Sequence, residues 1–597
     1  MASLTYLNKY LYKYKKRLLL GVVFVILANI FATVQGPVIR EVIDFLSVAF
    51  QEYQQVEQED AKAALKSDIY ASITNYSLLI IGLALVSGIF LYFQRQLIIG
   101  VSRYIEYDLK NEIYAHYQTL PLTFYRKHST GDLMARISED VNHVRMYLGP
   151  ALMYGINLTI LFFIILSYML SVNVSLTLYA LLPLPLLSLS IWYVSTIINK
   201  KSTQIQQSLS TLSNYVQEAF SGIRVIKAFV REKNSTERFI DISNDYRKRS
   251  LELARVHAFF HPLVLMLTGI STIIIIYVGG RKVIGEEISF GNIVEFIFYL
   301  NKLTWPFASL GWTTSLIQRA AASQTRINEF LNTKTDIVSK KNIRKEIEGG
   351  IEFKNVSFVY PDSGIKALTD ISFKTPPGAS IGIIGATGSG KTTLANLICR
   401  MYDPTKGSIE IDGVNSKDYD PSHLRSHIGY VPQDVFLFSD SIRNNLTFGA
   451  GQLPENKVVR YAEQADLLAN IEAFPKKFET VLGERGITLS GGQKQRLSIA
   501  RAIAREPKIL ILDDCLSAVD TKTENTILNS IKQVMKNRTT IIIAHRISSV
   551  KLAENIIVLS EGKIVEQGKH KELLQKKGLY RDMYQKQLHG FEEHKDQ

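Results

Sequence analysis

The sequence predicts a multidomain protein in which an all-α six-helix transmembrane domain is followed by an α/β P-loop domain. Three observations lead there. The first half holds six apolar stretches of spanning length, and the second half holds a glycine-rich loop, Gly385-Ala386-Thr387-Gly388-Ser389-Gly390-Lys391-Thr392. Downstream of the loop an apolar run, Ile509 to Leu512, ends in Asp513-Asp514. With 597 residues the chain is too long for one core, so several domains are expected.

The six apolar stretches run roughly 18–48, 75–100, 148–171, 174–198, 258–282 and 290–316. Each is long enough to cross a bilayer as a helix. Gly36-Pro37, Pro183, Pro185, Pro262 and Pro306 fall inside them, which membrane helices tolerate when neighbours re-satisfy the freed backbone. The basic N-terminus and the basic segments 101–147 and 199–257 are expected in the cytosol, and the acidic stretch Gln51–Asp68 outside. An even number of spans then leaves the second half in the cytosol. Lys13-Tyr14-Lys15-Lys16-Arg17 precedes an apolar run too long for a cleavable signal peptide. Glu295 and Lys302 are seven residues apart, two helical turns, and so share a face. Intramembrane charges face a protein interior or a wet cavity, which makes Glu295, Lys302 and Arg95 candidate cavity residues. The alternative is a structural ion pair between helices.

The glycine-rich loop follows the apolar run Ile381–Ile384 and opens a helical stretch from Thr393. That strand–loop–helix order is what a phosphate-binding loop requires. Glycines let backbone N–H groups curl around phosphates, and the helix N-terminus favours the anion. Lys391 is placed to reach the β- and γ-phosphates, and the Thr392 hydroxyl to hold Mg²⁺. Ile509–Asp514 reads as a buried parallel strand that delivers carboxylates at its C-terminal end, with Asp513 on the Mg²⁺ side.

Between loop and acidic strand lies Leu489-Ser490-Gly491-Gly492-Gln493. In this order the motifs resemble an ATP-binding cassette (ABC) protein, and together with the membrane half they resemble a half-size ABC exporter. The resemblance implies an ATPase domain with an antiparallel β subdomain and a helical subdomain. The expected division is 1–335 for the membrane domain with two long intracellular coupling loops, 336–349 for a linker, 350–590 for the cassette and 591–597 for a tail. It also implies site roles. Tyr360 would stack on adenine, and Gly385 to Thr393 would wrap the phosphates. Gln433 would join Mg²⁺ beside Thr392 and Asp513, and His545 would contact the γ-phosphate. Ser517 and Asp520 belong to a loop that crosses the dimer interface. Leu489–Gln493 would cap the ATP of a second cassette. Position 514 departs from the family pattern, which has Glu where this chain has Asp. The water-polarising carboxylate is then one methylene short, a misplacement of about an ångström that can cost ~10²-fold in rate. Leu120–Tyr125 with Thr130–Arg136, and Gln217–Arg224 with Val225–Phe229, resemble the two intracellular loops of ABC exporters.

The expected activity is therefore ATP hydrolysis driving export or flipping of amphipathic or hydrophobic substrates by alternating access. The alternative is an ATP-gated channel or regulatory receptor on the same fold. A single signature segment requires a partner chain. The run Asp514-Cys515-Leu516-Ser517-Ala518-Val519-Asp520 resembles paired exporters with one weak site, so a heterodimer is favoured over a homodimer. ATP and Mg²⁺ are the expected cofactors, and the cytoplasmic (inner) membrane the expected location. The formal charge of +14 comes with no helix–turn–helix, zinc-finger or RNA-binding signature, so no nucleic-acid partner is expected. Cys399 and Cys515 are the only cysteines and imply no disulfide framework.

Overall fold

The computed structural model describes residues 2–483, 486, 489–515 and 521–593. It divides into two compact units, residues 1–118 with 131–333, and residues 119–130 with 334–597.

The first unit is helical. Its long helices are α1 (Lys15–Thr33), α2 (Gln35–Gln55) and α3 (Glu59–Tyr117). The short α4 (Leu122–Lys127) follows in sequence but clusters with the second unit. Then come α5 (Leu152–Val172), α6 (Val174–Leu181), α7 (Pro183–Ser221), the short α8 (Ile223–Ala228), α9 (Glu232–Ile284) and α10 (Phe290–Leu331). Leucine, isoleucine and phenylalanine side chains stay exposed along them, including Leu78, Leu85, Ile89, Phe163, Leu178 and Ile273. Apolar surface on that scale suits lipid, not water. Among the described residues four helical stretches are long and apolar enough to span a membrane: Lys15–Gln55, Glu59–Tyr117, Thr130–Val172 and Glu232–Ile284. The expected spans at 174–198 and 290–316 are helical but fall short of that measure. The first is broken at Leu182, ahead of Pro183, and the second carries Asn292, Glu295, Asn301 and Lys302.

With hydrocarbon outside, helices associate through close backbone approach and hydrogen bonds. Both occur here. A Cβ on Gly36 would lie 2.5 Å from the Tyr299 hydroxyl, and one on Gly291 would lie 2.4 Å from the Arg40 carbonyl. Asn29 Nδ2 donates to Asn157 Oδ1 at 2.9 Å, and Ser87 Oγ to the Ala28 carbonyl at 3.0 Å.

The second unit holds two sheets. A four-stranded antiparallel sheet has the order β2 (Lys366–Thr375), β1 (Ile351–Val359), β4 (Lys406–Ile411), β5 (Val414–Asn415). A six-stranded sheet has the order β10 (Lys563–Gly568), β9 (Asn555–Ser560), β3 (Ser380–Gly385), β8 (Thr539–Ala544), β7 (Ile509–Asp513), β6 (Ile428–Val431). It is parallel except for β10. Its inner strands β3, β7, β8 and β9 are buried at successive positions because both faces are covered, while the edge strand β10 is not. Ile509, Ile511, Ile541 and Ile543 enter one core, while Leu510, Leu512, Ile542 and Ala544 enter the other. The second core also takes Ile442, Leu446, Val458, Tyr461 and Ile471 from a group of short helices, and Leu497 and Ile503 from α12 (Gly491–Ile503); α11 (Lys391–Ile398) lies in the first.

The segment between α10 and β1 is fastened to this unit. Ile343 bridges Tyr419, the Lys340 N–H donates to the Lys417 carbonyl at 3.1 Å, and the fully buried Arg400 donates to the Val338 carbonyl at 2.9 Å.

Candidate ATP site

The parallel order places the C-terminal ends of β3, β8 and β7 side by side. Ligands of open α/β sheets bind in that crevice. β3 delivers the glycine loop, β7 the two aspartates and β8 His545. Gly388 (φ +81°) and Gly390 (φ +97°) take left-handed backbone that ordinary residues resist. At Gly385 the limit is space, since a Cβ there would stand 2.2 Å from the Leu559 carbonyl.

Around the loop lies a cavity of about 510 Å³, lined by Tyr360, Lys391, Thr392, Gln433, Asp513, Asp514 and His545 among others. The buried Lys391 ammonium donates to the carbonyls of Gly385 and Ala386, both at 2.9 Å. Burial holds its pKa below the ordinary lysine value, against the pull of Asp514 and Asp513. Asp513 accepts from Thr392 Oγ1 at 3.3 Å and from the Tyr430 hydroxyl at 3.4 Å. Burial nonetheless raises its pKa, opposed by those two bonds, with the Asp514 charge adding to the rise. Asp514 sits at φ +46° and accepts from Gln433 Nε2 at 3.3 Å and the His545 N–H at 3.4 Å. Burial, then the Lys391 charge, lower the His545 pKa, against the pull of Asp514. The Tyr360 hydroxyl shares a hydrogen bond of 2.9 Å with Thr393 Oγ1.

These groups suit a magnesium-bound triphosphate. Among the described residues Ser389 Oγ is buried without a hydrogen-bond partner, and the Lys391 ammonium donates to loop carbonyls alone. A phosphate satisfies both. Among the described residues no group of three or more His, Cys, Asp or Glu is arranged for a metal. Mg²⁺ takes one or two protein oxygens together with phosphate and water, and Thr392 Oγ1 and Asp513, 3.3 Å apart, could supply them.

The signature segment stands elsewhere. Ser490 caps α12 in a reciprocal box: its Oγ accepts from the Gln493 N–H at 3.3 Å, while the Ser490 N–H donates to Gln493 Oε1 at 3.0 Å. Leu489 is buried, whereas Ser490 and Gly491 are exposed. None of the five residues Leu489–Gln493 lines the cavity.

Comparison with known proteins decides the family. Residues 18–307 match the family described as ABC transporter transmembrane region, and residues 368–517 the one described as ABC transporter. The chain is 38% identical over 498 residues to a probable multidrug resistance ABC transporter ATP-binding/permease protein, YheI, of Bacillus subtilis, covering 83% of this chain and 85% of that one. The chain belongs to the ABC transporters. To the multidrug resistance-like ATP-binding protein MdlA of Escherichia coli the transporter is 34% identical over 507 residues, 85% of this chain and 86% of that one. To an ATP-dependent lipid A-core flippase of Aromatoleum aromaticum it is 36% identical over 515 residues, 86% and 85% respectively. It is an ATP-hydrolysing, multi-pass membrane transporter of the exporter type.

Some expectations meet the structure differently. Ser517 and Asp520 lie outside the described residues. Glu295 does not face a cavity. It is fully buried and accepts from the Tyr299 hydroxyl at 3.0 Å, Asn292 Nδ2 at 3.3 Å and Arg40 Nη1 at 3.5 Å. Its ionic partner is Arg40 of α2, not Lys302, whose ammonium lies 5.1 Å from the centre of the Phe298 ring. Two helical turns align residues on one face of one helix, but they do not say which neighbouring helix meets that face. Arg95 is exposed on α3. Tyr430 and Arg126 are among the residues at the ATP site that escaped sequence reading. Tyr430 could have been suspected from its place three residues before Gln433, whereas Arg126 on α4 carries no local signal at all.

Proposed function

We propose that the transporter exports or flips amphipathic substrates across the cytoplasmic membrane by alternating access, working as one half of a dimer on Mg²⁺-bound ATP. The observation that carries the reading is the split between the cavity and the signature helix. Lys391, Thr392, Asp513, Asp514, Gln433 and His545 gather around one cavity, while the exposed N-terminus at Ser490 and Gly491 lies outside its lining. A helix N-terminus is an anion site, so a second chain could bring its own to this cavity and receive this one in return. The relatives' names supply the substrate class, since one is named for multidrug resistance and another as a lipid A-core flippase.

In this reading Tyr360 supports the base and the loop N–H groups cradle the phosphates. Lys391 leaves the carbonyls of Gly385 and Ala386 for the β- and γ-phosphates. Thr392 and Asp513, with Gln433 beside them, would hold Mg²⁺, which would supply neutralisation of charge on the phosphate oxygens. Asp514 orients the attacking water, and His545 donates an imidazole N–H to the γ-phosphate. ATP-driven closure of two cassettes turns the membrane cavity outward, and hydrolysis resets it.

Replacing Lys391 tests the site. Lys391→Ala is expected to abolish ATP-driven transport of lipids and dyes in reconstituted vesicles, with membrane insertion unchanged. Transport at the wild-type rate would show that this loop is not the working one.

A further inference from the structure

The short helix α4 reaches the ATP cavity with one side chain. Arg126 lines the cavity together with Tyr360, Thr387, Gly388 and Lys391. Its guanidinium carbon lies 4.7 Å from the centre of the Tyr360 ring. Two further contacts hold it there: Nε is 3.2 Å from Asp362 Oδ2, and Nη1 donates to the Tyr402 hydroxyl at 3.4 Å. The Tyr360 ring is fixed in turn. Its hydroxyl is tied to Thr393, and it meets Phe358 and Tyr402 edge to face, at 80° and 88°. A flat group entering the cavity therefore finds the Tyr360 face already covered by a cation.

We propose that Arg126 is a placeholder on the base platform: it covers Tyr360 until the adenine of ATP displaces it, so that α4 registers the arrival of a nucleobase and not of phosphate alone. The inference rests on Tyr360 being the platform. Stacked aromatic rings lie with centroids ~4.5–7 Å apart, and the guanidinium occupies that interval. Both cannot hold the same face. Asp362 remains within reach of Nε, so the displaced side chain keeps an ionic partner and swings aside without stranding its charge. The contacts that hold Arg126 run to Tyr360, Asp362 and Tyr402, none of them a phosphate-binding group.

The contact opposes binding of the base by the strength of one partly exposed cation–aromatic interaction. Removing it should raise affinity for a base-bearing ligand roughly two- to fivefold. Calorimetric titration of the full-length transporter in lipid nanodiscs, with ATP and with inorganic triphosphate, measures this. For Arg126→Ala the ratio of ATP affinity to triphosphate affinity is expected to rise two- to fivefold. Taking the ratio removes any general effect of losing a positive charge. An unchanged or lower ratio overturns the proposal, since Arg126 would then be indifferent to the base or clamp it. Arg126→Lys, which keeps the charge but not the planar stack, should raise the ratio by less than Ala does. Tyr360→Ala separates the two readings. If it lowers the ratio while Arg126→Ala does not raise it, the platform stands and the placeholder falls. If it leaves the ratio unchanged, the platform reading itself fails and takes the placeholder with it.

Discussion

At position 514 a single methylene separates this chain from the glutamate usual in its family, and the structure shows what surrounds the shorter side chain. Both carboxylate oxygens of Asp514 accept long hydrogen bonds, 3.3 Å from Gln433 and 3.4 Å from the His545 N–H, and the residue is bent into left-handed backbone at φ +46°. The carboxylate lines the cavity, held between Gln433 and His545. Glu at this position would reach further toward an attacking water. We expect Asp514→Glu to raise steady-state ATP hydrolysis by the purified dimer ~10-fold or more, within the ~10² range that ångström-scale misplacement covers. An unchanged rate would show that hydrolysis at this site is limited elsewhere. The identities of Lys391, Thr392, Asp513 and His545 were readable from the chain, because each ends or begins an element whose apolar pattern is plain. The role of Tyr430 as donor to Asp513 was not, because it depends on β6 lying beside β7, a pairing between distant segments.

Among the elements, α10 repays the closest comparison with its sequence. Its polar residues Asn292, Glu295 and Lys302 look like one wet stripe, yet Glu295 and Asn292 are enclosed against α2, where Gly291 allows the Arg40 backbone to approach. The Gly291 N–H also donates to Asp44 Oδ1 at 2.8 Å, so the α2–α10 contact is knitted by Arg40, Asp44 and Glu295 together. Glu295→Ala leaves Tyr299, Asn292 and Arg40 without their common acceptor. Hydrogen bonds to a charged group are worth about 1.5–3 kcal/mol each when gained, and partners left buried cost a similar amount. The expected result is a melting temperature lower by several degrees for the detergent-purified protein, with Lys302→Ala causing a much smaller change. Equal melting of Glu295→Ala and wild type would return Glu295 to the cavity. In the ATPase unit the opposite holds: β7 and β8 fold as their sequences read, since buried parallel strands need little beyond short apolar runs, and Ile509–Leu512 and Ile541–Ala544 supply them.

On the scale of the whole molecule the decisive fact is one signature helix and one phosphate loop per chain, with Leu489–Gln493 absent from the lining of the chain's own cavity. Purified alone, the transporter is expected to show weak ATPase, and co-expression with a second half-transporter carrying Glu at the equivalent place should restore substrate-stimulated turnover. A lone, stable dimer with ordinary exporter turnover would instead establish the homodimer. The sequence by itself determined the order of parts: helical membrane unit first, ATPase unit second, with the loop, signature, acidic strand and histidine each recognisable because its chemistry depends on neighbours in the chain. Only the tertiary structure decided which distant residues meet. It moved residues 119–130 into the ATPase unit, laid Arg126 on Tyr360, turned Glu295 to Arg40 and set Asp513 between Thr392 and Tyr430. Local periodicity fixes the face on which a side chain emerges. Its partner is chosen by the packing of segments far apart in sequence, and no local pattern records that choice.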